Sequence, residues 1–503
     1  MTPVVERHNL AAGLSISRAL TGLWQLADME RDGKTVDLDH AAAAMYRYVE
    51  AGLTTFDMAD HYGSAEVVAG IHHRQAPGSA QLFTKWVPRP GVVTRAGVRE
   101  AVQRSLDRLQ VDSIDLLQYH AWNYADPAWL QTLYYLEELK VEGLIRHLGL
   151  TNVDTAHLRI VVASGIEVVS NQVSFSLLDQ RASRGLSAFC VEHGVKLLAY
   201  GTVAGGWLTE RWLGQAEPDW ERSGTWSQMK YGRFMRVVGG WDALQRLLGA
   251  AAGVAERHGV SIANVASRFI LDQPAVAGVI IGARLGERDH IADTLQLFSF
   301  RLTDADYAEL GAALATLQPI PGDCGDEYRM PPFLTASGDL SHHLNSMPAP
   351  YRTEVRPDGR KLCLSGTVWE SLAGFARAVR LGNRIQVSGT TATLGNRVIG
   401  GTDPAAQAHF AIDKIEGALQ SLGAMLADVV RTRVYIRHPE HWEPVARAHG
   451  ERFAAIQPAN TLIIAPPVGD EYLVEIEAEA ELGHRAGSEL QSNEADDPAD
   501  GEK

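Results

Sequence analysis

The stretch FDMADHYGSAE, residues 56–66, decides how the first half of the chain is interpreted. A short apolar run ends there, and acidic, histidine and tyrosine side chains follow it on what reads as the loop after a strand. The pattern recurs along the first 310 residues, where amphipathic segments with apolar residues at helical spacing separate most of the apolar runs. The eight candidate strands are TGLW, LTTFDM, AQLFTKW, SIDLLQYH, LIRHLGLT, IEVVSNQV, VKLLAY and VAGVIIG.

Eight strand–helix units predict an α/β fold of the (β/α)8, or TIM, barrel type, which typically takes about 250 residues. A doubly wound open sheet is the alternative, but no GxGxxG follows the first candidate strand. The segment VVERHNLAAGLSISR predicts a short hairpin that plugs the bottom of the barrel. The barrel domain is predicted to span residues 1–318.

The rest of the chain divides into three parts. Residues 319–350 are rich in Pro, Gly, Ser and Asp and are predicted to be a linker or an extended wrapping segment. In residues 351–484, strand-like runs such as RIQVSGTTA are interrupted by two helical patterns, an order typical of a smaller α+β domain. Residues 485–503 are acidic and nearly devoid of large apolar side chains, which predicts a disordered tail.

Composition excludes several classes of partner. The net charge is −15 at pH 7 without a basic stripe, so neither nucleic acid nor an anionic membrane is expected. No apolar run reaches the roughly 18 residues of a membrane span, and the N-terminus has no secretion-signal pattern. Cys190, Cys324 and Cys363 form no CxxC pair, and the histidines lack ligand spacing. We therefore expect a cytoplasmic protein with no disulfide and no metal site.

Four polar side chains lie at the ends of consecutive candidate strands. Asp57 ends the second strand and Tyr62 lies on the loop after it. Lys85 ends the third strand and His120 the fourth. Because catalytic side chains of a (β/α)8 barrel lie at the C-terminal ends of its strands, we expect these four to meet in one site.

Together the four side chains predict proton transfer to a carbonyl oxygen. The Tyr62 hydroxyl can protonate that oxygen if its pKa of about 10 is lowered. A nearby Lys85 ammonium would favour the phenolate and lower this pKa, and Asp57 would pair with the lysine and hold it in place. His120 would orient the carbonyl by hydrogen bonding.

The motifs FDMADHYGSAE, LFTKW, LLQYH, LGLTNVD, NQVSFSLLD and VIIGARLGERDH follow one another at a characteristic spacing within residues 8–315. In this order they resemble the aldo-keto reductases. The resemblance implies a (β/α)8 barrel whose catalytic tetrad is Asp57, Tyr62, Lys85 and His120. It also implies a nicotinamide cofactor, NADPH/NADP+ with NAD possible, and a small-molecule carbonyl or alcohol substrate.

The same resemblance implies which residues bind the cofactor. Thr151, Asn152 and Gln172 match the positions that hold the nicotinamide carboxamide, and Tyr200 matches the ring that stacks on the nicotinamide. The glycine-rich loop after Tyr200 would let the backbone approach the pyrophosphate. The full expected set is Gly22, Trp24, Asp57, Thr151, Asn152, Gln172, Tyr200, Gly201, Thr202, Val203, Gly206, Leu208, Gly282, Ala283, Arg284 and Arg288.

The adenosine end of the cofactor is matched in part. Arg284 and Arg288 correspond to positions that grip the 2′-phosphate, and a guanidinium fork suits a phosphate and favours NADP. Ile291 and Ala292 stand where many members have Glu-Asn, so the adenine contacts are expected to differ.

The substrate pocket is expected to be aromatic. Trp24, Trp86, Trp122 and Tyr124 are candidate walls, with packing in the core or at the surface as the alternative. The insert TERWLGQAEPDWERSGTWSQMKYGRF between the seventh and eighth candidate strands is a candidate cover for the site.

The runs GFARAVRLGNRIQVSGTTA, ERFAAIQPANTLI and LVEIEAEAEL in the second domain resemble the reactive-intermediate deaminase (Rid/YjgF) family, whose fold is chorismate-mutase-like. The resemblance implies a homotrimer with clefts between subunits. Deaminating members hold the substrate carboxylate with an arginine in a Pro-Ala-Arg-Thr motif, but Asn460 stands at that position here and cannot form a bidentate grip. Glu475 keeps the glutamate of the last strand, and Phe375 stands where tyrosine is common. A scaffold role and the handling of a neutral imine are both open.

Three functions are therefore considered. The first is an NADP-dependent oxidoreductase, with Tyr62 as general acid or base, in a bifunctional fusion to a Rid-like domain. The second is a cofactor-binding redox sensor or assembly protein, against which the intact tetrad argues. The third is an imine or enamine hydrolase acting through the second domain, against which PANT argues.

Overall fold

A computed structural model of the protein describes residues 3–26, 35–329 and 346–483. Eight parallel strands close into a barrel, with each strand beside the next in sequence and the last beside the first. The barrel strands are β3 (Ala19–Gly22), β4 (Thr55–Asp57), β5 (Gln81–Trp86), β6 (Ile114–Tyr119), β7 (Ile145–Thr151), β8 (Ser170–Ser174), β9 (Lys196–Tyr200) and β10 (Val276–Gly282). The predicted (β/α)8 barrel and its eight candidate strands are confirmed.

Helices surround the barrel, and several begin at a side chain that caps their free N–H groups. The carboxylates of Asp37 and Asp154 and the hydroxyls of Thr94 and Ser261 each accept a hydrogen bond from the backbone three residues on. The helices of this half are α1 (Leu38–Glu50), α2 (Ala65–Gln75), α3 (Arg95–Leu109), α4 (Ala128–Val141), α5 (Thr155–Ala163), α6 (Leu186–His193), α7 (Trp220–Ser223), α8 (Trp226–Val237), α9 (Gly240–His258), α10 (Ile262–Leu271), α11 (Ile291–Gln296), α12 (Asp304–Leu314) and α13 (Asp326–Arg329).

The predicted hairpin precedes the barrel. Strands β1 (Arg7–Ala11) and β2 (Leu14–Ser17) pair antiparallel. Apolar side chains of the hairpin, such as Leu14 and Ile16, join one buried cluster with side chains of the barrel strands, such as Phe83 and Leu116. The hairpin therefore packs onto the barrel interior, as the plug predicted from the sequence requires.

The second domain is a mixed sheet with two long helices. Its sheet runs in the order β11-β12-β13-β14-β19-β17-β18, and α15 packs across β14 and β19 beside α16. The predicted α+β architecture is confirmed. Its elements are β11 (Arg352–Val355), β12 (Lys361–Leu364), α14 (Val368–Ala373), β13 (Ala378–Leu381), β14 (Arg384–Thr391), β15 (Thr393–Leu394), β16 (Arg397–Val398), α15 (Pro404–Ser421), β17 (Val429–Ile436), α16 (Trp442–Phe453), β18 (Ala459–Ile464) and β19 (Val474–Glu481).

The two domains pack directly on each other. Helix α15 lies against α5 of the barrel, and Phe410 of α15 belongs to the main buried cluster of the barrel. The Arg159 guanidinium donates to Asp403 Oδ2 at 2.8 Å. The imidazole of His157 lies between two carboxylates, with Nδ1 2.7 Å from Asp154 and Nε2 3.2 Å from Asp413.

This interface predicts a pH-dependent stability. Burial alone would lower the pKa of His157, but Asp154 and Asp413 outweigh burial and raise it to about 9. The charged His157 stabilises the folded state fully at pH values below about 6.5, its pKa in the unfolded chain. This stabilisation is lost as the pH rises towards 9, its pKa in the folded protein. Asp413 also accepts from Arg452 at 2.5 Å, and the charge of Arg329 acts on Asp154, so Arg452 and Arg329 are cations near these carboxylates besides the imidazolium.

We expect the free energy of unfolding to fall by on the order of 3 kcal/mol between pH 6.5 and pH 9 because His157 loses its proton in the folded state. Urea unfolding of the wild type and of His157→Gln at several pH values measures this. The difference between the two proteins must shrink as the pH rises, and a constant difference would contradict the assignment.

Part of the segment predicted to be a linker is described. Residues 320–329, which include α13, lie over the barrel, whereas residues 330–345 fall outside the described residues. The predicted disorder of residues 485–503 also falls outside them. Cys190, Cys324 and Cys363 are buried free thiols. Among the helices of residues 3–26, 35–329 and 346–483, none has the length and hydropathy needed to cross a membrane.

Candidate active site

A cavity of about 220 Å³ opens where the barrel strands end. Its walls combine strand ends with the insert before α9 and with α13. The predicted residues that line it are Gly22, Trp24, Asp57, Tyr62, Lys85, His120, Trp122, Thr151, Asn152, Gln172, Tyr200, Gly201, Thr202, Val203 and Gly282. All four candidate catalytic side chains are therefore in one cavity.

The centre of the site is a buried ion pair. Lys85 Nζ donates to Asp57 Oδ2 at 2.6 Å, and both residues are less than 5% exposed. The other oxygen of Asp57 accepts from Gln118 at 3.0 Å and from Gln172 at 2.8 Å. Burial lowers the pKa of Lys85, and the Asp57 carboxylate opposes that effect. Asp57 thus keeps Lys85 in position and favours its charged form.

Tyr62 lies beside this pair. Lys85 Nζ is 5.0 Å from the centre of the Tyr62 ring, and the indole of Trp24 meets that ring edge-on at 4.9 Å. Burial, together with the charge of Asp57, raises the pKa of Tyr62 well above its usual value. The expected lowering of this pKa by Lys85 is therefore wrong for this structure, because burial of the hydroxyl is the larger effect. Tyr62 is protonated at neutral pH, which is the form that a general acid needs.

His120 faces the cavity as a neutral imidazole. Burial, and then the nearby charge of Arg329, lowers its pKa well below 6.5. Its Nε2 atom is buried and has no hydrogen-bond partner among the described residues. The rings of Trp122 and Tyr328 meet the imidazole edge-on at 4.4 and 5.5 Å. A buried ring nitrogen without a partner is suited to a ligand oxygen.

The residues expected to hold the nicotinamide are close together. Thr151 and Asn152 end β7, and the Thr151 hydroxyl donates to the backbone oxygen of Gln172 at 3.1 Å. Asn152 has a positive φ of 57° and accepts from the Tyr200 hydroxyl at 2.8 Å. The amide of Gln172 is committed to Asp57 and Gln118, so its carbonyl oxygen is the group that remains for a carboxamide.

The loop after β9 is rich in positive φ angles. Gly201, Ala204, Gly205 and Gly206 all have positive φ, and the N–H groups of Ala204 and Gly206 donate within the loop to the oxygens of Gly201 and Val203. A Cβ at Gly201 would lie 2.1 Å from the hydroxyl of Tyr231, so only glycine fits there. The loop therefore brings its backbone close to the cavity, which Gly201, Thr202, Val203 and Gly205 line.

Several predicted residues do not line the cavity. Trp86 is turned outward into the helix layer, where it meets Tyr119, because Lys85 on the same strand points inward. Tyr124 stacks on His157 at 3.4 Å rather than facing a substrate. The remaining ones, on the loops after β9 and β10, are Gly206, Leu208, Ala283, Arg284 and Arg288.

Sequence reasoning did not name Lys230 of the candidate cover, or Tyr328, as an individual residue of the site. Lys230 of α8 donates to the Tyr328 hydroxyl, which lies 3.2 Å from the Tyr200 hydroxyl. His61, which the Asp60 carboxylate holds at 3.1 Å, lies at the rim. Gly205 of the glycine-rich loop and Trp226, Ser227 and Tyr231 of the candidate cover also line the cavity, and the lining residues outside every predicted segment are Gln25, Val87 and Ile280. The insert before α9 was already a candidate cover for the site. Tyr328 could not be found from the sequence in the same way, because nothing local in GDCGDEYRM indicates a tyrosine that enters the barrel mouth.

Two of the candidate Rid-like residues, Asn460 and Glu475, lie on strands of one sheet, and Phe375 lies on the segment before β13. Asn460 on β18 donates to the Thr432 hydroxyl at 2.9 Å. Glu475 on β19 pairs in register with Tyr435, three residues further along β17 than Thr432. Phe375 precedes β13 and lies near Arg377, whose guanidinium carbon is 5.6 Å from the ring. Burial raises the pKa of Glu475 and the charge of Arg377 opposes this effect, so Arg377 is a neighbour of both Phe375 and Glu475.

Comparison with protein families agrees with this architecture. Residues 20–315, more than half of the chain, match the model described as the Aldo/keto reductase family. The chain belongs to the aldo/keto reductase family. The expectation of an NAD(P)-dependent oxidoreductase is thereby confirmed at the level of the family. Residues 367–482 of this reductase match the model described as Endoribonuclease L-PSP, which confirms the Rid/YjgF-type second domain.

Individual relatives match one domain each. Protein tas of Escherichia coli is 31% identical over 273 residues, which cover 50% of the reductase and 75% of that protein. An uncharacterized protein of Streptomyces coelicolor is 38% identical over 120 residues, which cover 24% of the reductase and 90% of that protein. The glycerol dehydrogenase of Gluconobacter oxydans has a TM-score of 0.51 at 22% identity, covering 64% of the reductase and 98% of that chain, and shows the shared fold.

Proposed function

We propose that the protein is an NADP-dependent, cytoplasmic oxidoreductase that interconverts a carbonyl compound, an aldehyde or ketone, and the corresponding alcohol. The observation that carries the proposal is the Lys85–Asp57 ion pair beside Tyr62 and His120 in one cavity. Thr151, Asn152, Gln172 and Tyr200, with the loop after β9, would hold the cofactor. A bound NADPH would supply the hydride for the carbonyl carbon.

The chain's own residues would then manage the proton and the oxygen. Tyr62 holds a proton at neutral pH and would pass it to the carbonyl oxygen during reduction, or take it from the alcohol during oxidation. Lys85, fixed by Asp57, is the positive charge that would stabilise the tyrosinate left behind. His120 has an unpartnered Nε2 atom that would position the substrate oxygen. The buried walls would keep water from the reacting atoms.

The experiment is to follow NADPH oxidation and NADP+ reduction by the full-length protein with a panel of aldehydes, ketones, sugars and alcohols. We expect turnover with at least one carbonyl–alcohol pair. Cofactor binding without turnover of any member of the panel would contradict the proposal and would favour the redox-sensor alternative.

The preference for NADP rests on two arginines. Arg284 and Arg288 pair through their backbones on the loop after β10, outside the buried cavity, and the family resemblance assigns both to the 2′-phosphate. We expect Arg284→Ala and Arg288→Ala each to raise KM for NADPH roughly tenfold, the effect of about 1.5 kcal/mol for a hydrogen bond to a charged group.

NADH lacks the 2′-phosphate, so its KM should stay within about twofold in both variants. Initial rates with each cofactor measure the effect, and Arg246→Ala, an exposed arginine of α9, is the matched control. Equal changes for NADH and NADPH would exclude these arginines as the 2′-phosphate site.

For the second domain we propose a scaffold role through a homotrimer. Asn460 lacks the charge that would anchor a carboxylate, which supports a scaffold over an imine hydrolase. Strand β18 at the sheet edge has exposed apolar side chains, with Ile463 40% and Ile464 56% exposed. Light scattering tests the trimer, and a monomeric mass would exclude it. Release of ammonia from an imine substrate would instead favour the hydrolase.

A further inference from the structure

The second domain contacts the loop that carries His120. This loop, residues 120–127, joins β6 to α4. On the barrel side it is fixed where Trp122 Nε1 donates to the Pro88 oxygen at 2.8 Å. Its outer half faces α15 of the second domain, where Asn123 Nδ2 donates to Gln420 Oε1 at 3.1 Å. The same asparagine accepts from the Ala125 backbone at 3.0 Å and so folds the loop around this contact.

The two backbones approach closely at this point. A Cβ at Gly417 of α15 would lie 2.2 Å from the backbone oxygen of Ala125. Glycine is disfavoured inside a helix, so close approach to the loop is the physical reason for a glycine at this position. The contact between α15 and the loop is therefore built into the sequence of the second domain.

A second connection runs through His157. Asp413 of α15 and Asp154 of the barrel hold the imidazole between them, and the Tyr124 ring of the loop stacks on it at 3.4 Å with an angle of 11°. Asp413 is fully buried, so this connection is shielded from solvent. The position of Tyr124 is thus tied to a charged side chain of the other domain.

The connection continues to the catalytic histidine. The Arg329 guanidinium carbon lies 4.3 Å from the centre of the Tyr124 ring. Arg329 donates to the Ala121 oxygen at 2.6 and 2.9 Å, and to the Asn152 oxygen at 2.5 Å. Ala121 is the neighbour of His120, and Asn152 lines the cavity. A continuous series of packed and hydrogen-bonded groups therefore joins α15 to both sides of the site.

We propose that the second domain positions the active-site loop of the barrel, with Gln420 and Asp413 of α15 as positioning residues for His120 and Trp122. The barrel would thus depend on the second domain for the geometry of its own chemistry, whether or not that domain has an activity. The expected effect on kcat rests on the proposed reductase function. The expected effect on the order of residues 120–127 rests only on the contacts between the two domains.

The test uses full-length protein with Asn123→Ala, Gln420→Ala and the double variant. Hydrogen–deuterium exchange reports the order of residues 120–127, and steady-state kinetics with NADPH and a carbonyl substrate report kcat and KM separately. The control is Arg397→Ala, which removes another contact between the domains, the guanidinium over the Tyr134 ring at 3.9 Å, without touching the loop.

We expect each single variant to increase deuterium uptake in residues 120–127 and to lower kcat about three- to tenfold, with KM for NADPH unchanged. The double variant should lose no more than Asn123→Ala alone, because Gln420→Ala removes a hydrogen bond that Asn123→Ala also removes, whereas Asn123→Ala additionally removes the acceptor of the Ala125 N–H. Arg397→Ala should change neither quantity.

Unchanged uptake in residues 120–127 of Gln420→Ala would overturn the proposal, and so would multiplicative losses of kcat in the double variant. If the wild type turns over no carbonyl, the proposed reductase function fails. The exchange measurement alone then decides the positioning role: faster uptake in the loop supports it, and unchanged uptake overturns it.

Discussion

Tyr62→Phe is expected to lower kcat at least 100-fold while leaving the affinity for NADPH unchanged. The variant keeps the ring that packs against Trp24 and Lys85 and removes only the hydroxyl that would donate the proton. General acid catalysis contributes about 10²–10⁴-fold, and Tyr62 carries the hydroxyl that lies beside the Lys85–Asp57 pair. Stopped assays of NADPH oxidation with the best substrate of the panel measure the loss.

The control for this variant is Tyr48→Phe. Tyr48 is a buried tyrosine of α1, outside the cavity, and its hydroxyl has no hydrogen-bond partner within the part of the chain that the structure describes. Removing it should leave kcat within about twofold and stability nearly unchanged. Quenching of tryptophan fluorescence on titration with NADPH separates binding from chemistry. If Tyr62→Phe retained more than a tenth of kcat, Tyr62 would not be the general acid.

The tetrad could be predicted from the sequence because each member is tied to a local feature. Asp57, Lys85 and His120 each end a strand, and parallel strands of a barrel end at one face. The alternation of side chains between the two faces of β5 also predicts the direction of Trp86. Since Lys85 points into the barrel, its neighbour Trp86 must point into the helix layer, and it does.

Other features of the site depend on long-range packing. Tyr328 enters the cavity because Glu327 and Arg329 on either side of it are bound to the barrel, and no local pattern predicts either contact. The contact between His157 and Asp413 joins residues 256 positions apart on two domains. The predicted lowering of the Tyr62 pKa was wrong because this pKa depends on burial, which a sequence motif does not reveal.

The second large effect is expected for Arg181→Met. Arg181 is 1% exposed and donates to both oxygens of Asp179, at 2.9 and 2.7 Å, and to Glu327 at 2.7 Å. Its loss leaves two buried carboxylates without their cation, and breaking a buried pair in this way costs about 3–5 kcal/mol. Burial raises the pKa of Glu327, but Arg181 holds it below its usual value, so the folded site needs the cation.

The same change should also affect the reaction. Arg181 donates to the backbone oxygen of Asp323 at 2.9 Å and so attaches the whole of residues 323–329 to the barrel. Without it, α13 is expected to leave the barrel mouth and to take Tyr328 out of the cavity. We therefore expect a lower midpoint of urea unfolding, followed by tryptophan fluorescence, together with a higher KM for the carbonyl substrate.

Arg184→Met is the matched control, because Arg184 is an exposed arginine that donates to the Ile320 oxygen at 2.7 Å in the same segment. No buried carboxylate depends on it, so its loss should cost less than about 1 kcal/mol. An unfolding midpoint of Arg181→Met equal to that of Arg184→Met would show that the buried triad does not stabilise the barrel. A lower unfolding midpoint with an unchanged KM would show instead that α13 stays in place without Arg181, held by Arg329 and by the hydrogen bond from the Thr155 backbone to Asp323.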